Sequence, residues 1–291
     1  MQTFGFIWSK LWSERARYET PANTAERRRW LFERYCDNDP KRLDAWLAGG
    51  KKIILDAGCG SSLSAFLFFG DRLKGHDYLG VDISESIQAA EARFQEAGYP
   101  GDFLQRSLVD LPIKDESIDM IFSEGVLHHT DSTEKSIAYL SSKLKSGGLF
   151  LFYVYRKKAA IREFTDDFIR RQLVDLSDEE AWNALLPLTN LGIALGKLNV
   201  KVEVPEDIPL LGISKGSIDI QRFFYWNICK MFYNQDFNLD EMNHVNFDWF
   251  RPLNCHRHTE EEVGSFCRNA SLHIEHMNVQ ESGITVVARK L

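Results

Sequence analysis

The amino-acid sequence predicts an α/β fold in which a mostly parallel β-sheet carries helices on both faces and is interrupted by a helical insertion. Short apolar runs alternate with helical segments from about residue 51 to 155. About one hundred residues without this alternation follow, and the alternation returns from about residue 259. Uninterrupted apolar strands that alternate with helices are typical of a parallel sheet buried on both faces.

The first fifty residues are predicted to form a helical segment. Thr24 is placed to cap a helix that runs through AERRRWLFERYC. Asp39-Pro40 then starts a second, short helix, which the glycines at 49–50 end. Side-chain oxygens cap helix N-termini, and proline fits the first helical turn.

Residues 51–155 are predicted to form the core of the sheet. Helices are expected from Leu63, from a cap at Ser84 to Gly98, and from near Asp131 to Gly147, since glycine is a common helix stop. The five predicted strands are KIILDAG, YLGVDIS, DFLQRSL, IDMIFSEG and LFLFYVY.

Residues 156–258 are predicted to form a helical cap, because a connection of that length is too long for a loop in a compact domain. This stretch combines helix-like pieces with the turn-rich segment VPEDIPLLGISKG. Residues 259–291 return to the sheet with one helix and two closing strands. A turn at 281–283 would pair these last strands as an antiparallel hairpin.

Length, composition and charge exclude several classes of protein. The 291 residues suit one large domain or two smaller ones, and 44% hydrophobic with 26% charged residues is close to the globular average. The net charge of −7 argues against a protein that binds nucleic acid mainly through phosphate contacts, which require a basic face. We therefore expect a small-molecule partner and no nucleic acid.

The sequence also predicts a cytoplasmic protein without membrane attachment. The longest apolar run, from Leu149, is too short to cross a bilayer, and the first residues lack a basic start followed by an apolar stretch. An odd number of scattered cysteines without a Cys-x-x-Cys pair is typical of reduced thiols. These are Cys36, Cys59, Cys229, Cys255 and Cys267. A homodimer stays open.

A glycine loop follows the first predicted strand and precedes a helix, so its backbone can approach a ligand and offer free amides. The dinucleotide fingerprint requires glycine at its first, third and sixth residues. Gly58 and Gly60 occupy the first and third, but Leu63 stands at the sixth, which disfavours a nicotinamide dehydrogenase. Asp56, two residues before Gly58, would attract a cation. Asp82 ends the second strand, where an acid accepts ribose hydroxyls. The pattern predicts a site for a positively charged nucleoside.

Four motifs in order resemble those of the class I S-adenosylmethionine-dependent methyltransferases. They are LDAGCGSS, GVDIS, DLPIKDESIDMIFSEGVLHHTDS and LKSGGLFLF, and the third is similar to the subgroup of ubiquinone and menaquinone biosynthesis methyltransferases. The resemblance covers about Lys51–Tyr155 and about Thr259–Leu291. It implies a Rossmann-like seven-stranded sheet, S-adenosylmethionine as cofactor and methyl transfer to a small-molecule acceptor.

The resemblance also implies roles for single residues on the cofactor side. Asp56 would hold the methionine ammonium, and Gly58 and Gly60 would lie under the methionine part and the ribose. Asp82 would bind the ribose hydroxyls, and Ile83 would pack on the adenine.

Four further positions follow the third and fourth strands. Ser107 stands where the family usually has an acid that accepts from the adenine amine, and a hydroxyl accepts more weakly than a carboxylate. Leu108 adjoins it. Ser123 and Glu124 end the fourth strand, where the family's backbone passes the methionine.

Catalysis of methyl transfer requires alignment of the acceptor and, for some acceptors, a base that removes a proton. His128 and His129 follow the fourth strand, and Tyr155 ends the fifth. These three are the candidate bases. The alternatives are packing or capping for the histidines and core packing for the tyrosine, which shares its strand face with Tyr153.

The segment MNHVNFDWFRPLNCHRHTEEEV mixes polar and aromatic residues, as a binding surface does, although a solvated loop would fit as well. His244, His256 and His258 lack an acid or cysteine at a familiar ligand spacing, so no metal site is predicted. Arg156, Arg251 and Arg257 lie where the insertion leaves and rejoins the core. Because three arginines near a cationic cofactor would repel it unless an anion lay between them, they predict an acceptor with a carboxylate or phosphate. Pairing with local acids such as Asp248, Glu260 or Glu261 is the alternative. The candidate acceptor-binding residues are Arg156, Trp249, Arg251, His256 and Arg257.

Two functions from different classes stay open. One is a methyltransferase for small molecules, in which the cap encloses the acceptor. The other is a non-catalytic binding or regulatory protein with the same fold. The missing adenine acid at Ser107 favours the second, and the presence of Asp56 and Asp82 favours the first.

Overall fold

A computed structural model describes residues 19–291, which form two compact units. The core unit comprises the chain up to Arg156 together with His256–Leu291, and the inserted unit comprises Lys157–Cys255. Part of the predicted N-terminal helical segment, residues 1–18, lies outside the described residues.

The strands and helices are numbered in chain order over both units. The strands are β1 (Ile53–Ala57), β2 (Asp77–Asp82), β3 (Asp102–Gln105), β4 (Ile118–Glu124), β5 (Leu144–Tyr155), β6 (Lys201–Val204), β7 (Gly216–Asp219), β8 (Leu272–Val279) and β9 (Gly283–Lys290). The helices are α1 (Pro21–Cys36), α2 (Pro40–Leu47), α3 (Leu63–Phe69), α4 (Ile87–Ala97), α5 (Thr133–Lys143), α6 (Ala160–Leu173), α7 (Asp178–Leu198), α8 (Ile220–Asn227), α9 (Leu239–Phe250) and α10 (Glu260–Asn269).

The core unit contains a seven-stranded sheet with the order β3-β2-β1-β4-β5-β9-β8. Strands β1 to β5 are parallel, and β9 runs antiparallel between β5 and β8. The predicted fold class and the closing hairpin are confirmed. Strands β2 and β3 lie on one side of β1, and β4 and β5 lie on the other, so the strand order reverses between β1 and β4. Ligands bind at the carboxyl ends of the strands at such a switch point.

Alternation along the strands builds a core on each face of the sheet. Leu55 and Ile121 face the side covered by α5 and α10, where Leu140 is buried. Ile54 and Phe122 face the side covered by α1 and α3. Successive side chains of a strand point to opposite faces, so this double burial explains the uninterrupted apolar runs.

Several predicted helix ends are shifted by a few residues. The N-cap of α1 is Thr20 rather than Thr24, because Pro21 fits the first helical position. Ser84 does not cap α4, since its hydroxyl donates to Asp82 at 2.6 Å. Helix α5 ends at Lys143, and β5 begins at Leu144, three residues before the glycine that was expected to end the helix.

The inserted unit is helical, as predicted for the cap, but it also contains a two-stranded antiparallel sheet of β6 and β7 that the sequence did not reveal. Each strand has only four residues. Helices α7 and α9 pack together around a buried Thr189, which hydrogen-bonds Asn243 (2.7 Å) and Asn246 (2.8 Å). Among residues 19–291, no helix has the length and apolar character needed to cross a membrane.

Candidate functional site

The glycine loop lies at the carboxyl end of β1 and is fixed to β2. The backbone amides of Gly58 and Cys59 both donate to the carbonyl of Val81 (2.8 and 2.9 Å). Gly58 has φ 82°, and a Cβ there would lie 2.3 Å from a methyl carbon of Val126. Gly60 has φ 52° but faces open space. Only Gly58 is therefore required by both backbone conformation and packing.

Asp82 is placed as predicted, at the end of β2, and it binds the glycine loop. Its Oδ2 accepts from the amide of Gly60 (2.8 Å), and its Oδ1 accepts from the amide (2.8 Å) and hydroxyl (2.6 Å) of Ser84. A carboxylate has about four acceptor positions. These bonds use three, so one position on Oδ2 remains for a ligand hydroxyl.

Ile83, the next residue, leaves 49% of its surface exposed although it is a large apolar side chain. An adenine ring could cover this exposed apolar side chain, because it follows Asp82, the acid that is predicted to accept the ribose hydroxyls. This position fits the predicted role.

Asp56 is buried beneath the loop, only 3% exposed. The hydroxyl of Tyr78 donates to its Oδ2 at 2.5 Å and shares a second bond of 2.9 Å with the hydroxyl of Ser62. Burial raises the pKa of Asp56 to about 7, against the Tyr78 hydrogen bond that lowers it, and the nearby Asp82 and Glu124 raise it further. A buried carboxylate with carboxylate neighbours is a site that favours a cation.

Glu124, at the end of β4, is engaged by the N-terminal helix. Its oxygens accept from the guanidinium of Arg34 and from the hydroxyl of Tyr35 (2.6 Å). Arg34 is fully buried, lies 3.6 Å from the ring centroid of Trp30 and 4.3 Å from that of Tyr153, and donates to Thr285. Helix α1 therefore covers this end of the sheet.

The remaining cofactor candidates have structural partners. Ser123 is buried and donates to the carbonyl of Ala57 (2.8 Å), which joins the ends of β4 and β1. The hydroxyl of Ser107 accepts from the amide of Val109 at 3.5 Å, a long bond that keeps the turn after β3 in shape. Leu108 is buried in the core.

The three candidate bases lie together at the ends of β4 and β5. The ring of His128 is fully buried, 3.7 Å from that of Tyr155 between centroids, and 4.2 Å from that of His129. His129 is half-buried. The same edge holds the chain where it re-enters the core unit, because His256 donates its amide to the carbonyl of His128 and His258 donates to that of Tyr155 (both 2.9 Å).

The candidate acceptor residues fall into both units. In the core unit, Arg156 lies 3.8 Å from Glu260 and 3.9 Å from Glu281, and a ring nitrogen of His256 lies 3.0 Å from the carbonyl of Thr130. Arg257 is half-buried in the same returning segment.

In the inserted unit, Arg251 pairs with Asp178 at 2.9 Å and also donates to the carbonyl of Leu176. Trp249 is buried, and its indole N–H donates to Asp166 at 2.8 Å. Over the described part of the chain, no three His, Cys, Asp or Glu side chains are grouped closely enough to hold a metal ion.

Sequence reasoning missed Tyr78, Arg34 and Tyr35. Tyr78 is the first residue of the predicted apolar strand YLGVDIS, where an aromatic side chain is expected in the core. Arg34 and Tyr35 belong to a charged, aromatic helix far from the glycine loop in sequence. The only signal was the mixture of arginines and aromatics in ERRRWLFERY, which a solvated helix face explains equally well.

Comparisons with known proteins match part of the core unit. Residues 55–152 match the family model described as a methyltransferase domain. A protein of Synechococcus sp. is 33% identical over 40% of this chain and 29% of its own length. The malonyl-[acyl-carrier protein] O-methyltransferase of Hamiltonella defensa is 31% identical over 35% of this chain and 37% of its own. The tRNA U34 carboxymethyltransferase of Methylococcus capsulatus is 29% identical over 37% and 34%. The chain thus spans about a third of the length of these curated relatives.

Two solved structures are similar to this chain at low sequence identity. A Bordetella parapertussis structure described as a possible exported protein has a TM-score of 0.51 and 14% identity, and the match covers 99% of this chain and 79% of that one. A SAM dependent methyltransferase from Aquifex aeolicus has a TM-score of 0.47 and 13% identity, over 96% and 98% of the two chains.

The site and the matched stretch coincide. Asp56, Gly58, Gly60 and Asp82 all lie within residues 55–152, at the switch point of the sheet. The buried carboxylate, the loop that admits close approach and the exposed Ile83 fit the ammonium, the ribose and the adenine of a cationic nucleoside. Residues 55–152 therefore form a methyltransferase domain, and S-adenosylmethionine is the cofactor of that domain.

Proposed function

We propose that the chain catalyses methyl transfer from S-adenosylmethionine to a small-molecule acceptor. The observation that carries this proposal is the grouping of Asp56, the glycine loop and Asp82 at the switch point of the sheet, inside the stretch that matches the methyltransferase family. The bound cofactor supplies a sulfonium methyl group, which a nucleophile takes by in-line displacement.

The residues of this chain bind and orient the cofactor. Asp56 holds its ammonium, the free acceptor position on Asp82 Oδ2 takes a ribose hydroxyl, and Ile83 covers the adenine. Ser107 accepts from the adenine amine, with Leu108 packed beside it. Glu124 shapes the edge of the site indirectly, because its carboxylate is committed to helix α1.

Of the three candidate bases, His129 suits proton removal best. The ring of His128 is enclosed and packs against that of Tyr155, so packing is its main role. His129 is half-buried at the same edge, where an imidazole nitrogen can reach a ligand. His129→Gln, which keeps a polar side chain but cannot take up a proton, should lower kcat, whereas an unchanged kcat in this variant would rule out this role.

The inserted unit is proposed to recognise the acceptor. Its two ends leave and re-enter the core unit beside the carboxyl ends of β4 and β5, through the hydrogen bonds at Tyr155 and His128. The matched stretch ends at residue 152, before this unit. The acceptors named for the relatives are therefore not assigned to this chain. The net charge of −7 favours a small-molecule acceptor over an RNA.

Calorimetry with S-adenosylmethionine and with S-adenosylhomocysteine tests the cofactor assignment. Micromolar binding of both is expected, and binding of neither would refute the proposal. Turnover is then measured as release of S-adenosylhomocysteine in a metabolite extract, with the methylated product identified by mass. If the chain binds the cofactor but turns over no fraction of the metabolite extract, the alternative of a non-catalytic binding protein is favoured. The weak hydrogen-bond acceptor at Ser107 is the observation that supports this alternative.

Three further assignments belong to this proposal. The stretch that ends in VLHHTDS supports a place near the ubiquinone and menaquinone methyltransferases. A cytoplasmic location is supported by the scattered cysteines, all of which are free thiols: Cys36, Cys59, Cys229, Cys255 and Cys267. A homodimer is tested by light scattering on the same preparation.

A further inference from the structure

Two cationic side chains are buried inside the inserted unit. Arg162, on α6, is 1% exposed, and Lys230, after α8, is 8% exposed. Asp166, one turn after Arg162, is the one fully buried carboxylate between residues 157 and 255. The Cys229 thiol beside it is neutral, since burial raises its pKa to about 12. Two buried cations with one buried carboxylate leave an uncompensated positive charge, which is costly in a protein interior.

The carboxylate of Asp166 is committed to groups other than the Lys230 ammonium. Its Oδ2 accepts from Nε of Arg162 (2.7 Å) and from the indole N–H of Trp249 (2.8 Å). Its Oδ1 reaches only the backbone amide of Lys230, at 3.4 Å. The ion pair with Arg162 is therefore complete, and the charge of Lys230 is the one left unmatched.

The ammonium of Lys230 lies 4.6 Å from the ring centroid of Trp249. Within residues 19–291 it makes no ion pair and no hydrogen bond, and yet it is not one of the fully enclosed unpaired polar atoms. The small exposed surface of Lys230 thus includes its ammonium. A cation–π contact stabilises such a charge only in part.

Arg162 lies against the same indole ring, with its guanidinium carbon 5.4 Å from the centroid. Its Nε and Nη1 bind Asp166 and the carbonyl of Tyr225. Its Nη2 likewise has no partner in the described part of the chain and is not fully enclosed. Two cationic groups with donors to spare therefore flank one aromatic ring.

We propose that Lys230 and Arg162 bind an oxyanion, a carboxylate or phosphate carried by the acceptor, beside Trp249. An anion at this position matches the buried charge, and charge-assisted hydrogen bonds from two cations hold it strongly. The assignment of this anion to the acceptor rests on the proposed function. It moves the recognition of the acceptor's charge away from Arg156 and Arg251, whose charges are met by Glu260, Glu281 and Asp178.

Thermal unfolding of the full chain tests the site with inorganic pyrophosphate and with benzoate, each against chloride at equal ionic strength. The wild type should gain a few degrees in Tm with at least one anion, and the one that acts distinguishes phosphate from carboxylate. Lys230→Met should need about tenfold more anion for the same shift, because it loses a charge-assisted bond. Lys197→Met, a matched change at an exposed lysine on α7, should behave as wild type.

Without anion, Lys230→Met should be at least as stable as the wild type, because methionine keeps the apolar stem and removes an unmatched charge. Lys230→Arg should keep the anion effect. No shift of the wild type with either anion, an undiminished shift in Lys230→Met, or an equal loss in Lys197→Met would overturn the proposal. The measurement needs no cofactor, so it separates this site from a failure of cofactor binding.

Discussion

Cofactor binding should depend on pH through Asp56. The pKa of this carboxyl is raised to about 7 in the folded chain, chiefly because it is buried. Below this pH it is largely neutral, and the ammonium of the cofactor loses its counter-ion. For a single titrating group, the Kd for S-adenosylhomocysteine should rise about tenfold from pH 8 to 6 and about tenfold again to pH 5.

The same shift affects the stability of the protein without cofactor. The folded pKa lies above the ordinary value of 3.8, so the contribution of Asp56 is fully present below that value and is lost as the pH rises through about 7. A shift of this size corresponds to at most ~4 kcal/mol. The free energy of unfolding of the wild type and of Asp56→Asn can be measured in urea between pH 4 and 8. As the pH rises, the wild type should become less stable relative to the variant by a few kcal/mol.

Calorimetry with S-adenosylhomocysteine from pH 5 to 8.5 gives the binding curve. Asp56→Asn keeps the shape of the side chain and can still accept from Tyr78, so it should bind weakly and nearly independently of pH. Asp77→Asn, at the opposite end of β2, where the carboxylate is exposed and paired with Lys51, should retain the wild-type profile. A wild-type Kd that is constant from pH 5 to 8 would refute the reasoning, as would an unaltered pH dependence in Asp56→Asn.

Three other predictions concern the same edge of the sheet. Asp82→Ala should weaken cofactor binding by about 1.5–3 kcal/mol, and calorimetry that finds wild-type affinity would remove Asp82 from the site. Arg34→Met should lower the free energy of unfolding by about 3–5 kcal/mol, because it leaves the Glu124 carboxylate without its cationic partner, whereas Arg34→Met with Glu124→Gln should recover most of this loss in urea titrations. Gly58→Ala should abolish S-adenosylhomocysteine binding, because its Cβ clashes with Val126. Gly60→Ala should lower the free energy of unfolding by only about 1–2 kcal/mol, the cost of backbone strain. If the two variants lost the same amount of binding and of stability, the packing argument would be contradicted.

The edge of the sheet where we propose that the cofactor binds could be identified from the sequence because its determinants are local. Gly58 and Gly60 follow a strand, and Asp82 ends the next one, so the strand–loop–helix pattern places them without knowledge of distant contacts. The order of parallel strands then brings their carboxyl ends together. The family motifs added the identity of the nucleoside.

The partners of the buried charges were decided by the tertiary structure alone. Arg34 meets Glu124 across 90 positions of sequence, and Asp166 meets Trp249 across 83. No periodicity within a helix or strand encodes such pairs. Whether an arginine is solvated, matched by an acid or left with unused donors depends on which elements bury it, and that is a property of the packed chain.

The sequence by itself thus determined the α/β sheet and the position of the insertion, and it indicated the proposed place of the cofactor, since periodicity and glycine chemistry act over a few residues. It could not determine which cations recognise an anion. Arg156 and Arg251 were chosen because they flank the insertion, yet folding brings acids to both. Folding also buries Lys230 without a counter-ion among residues 19–291, because burial and desolvation are decided by all the neighbours of a side chain together rather than by its position along the chain.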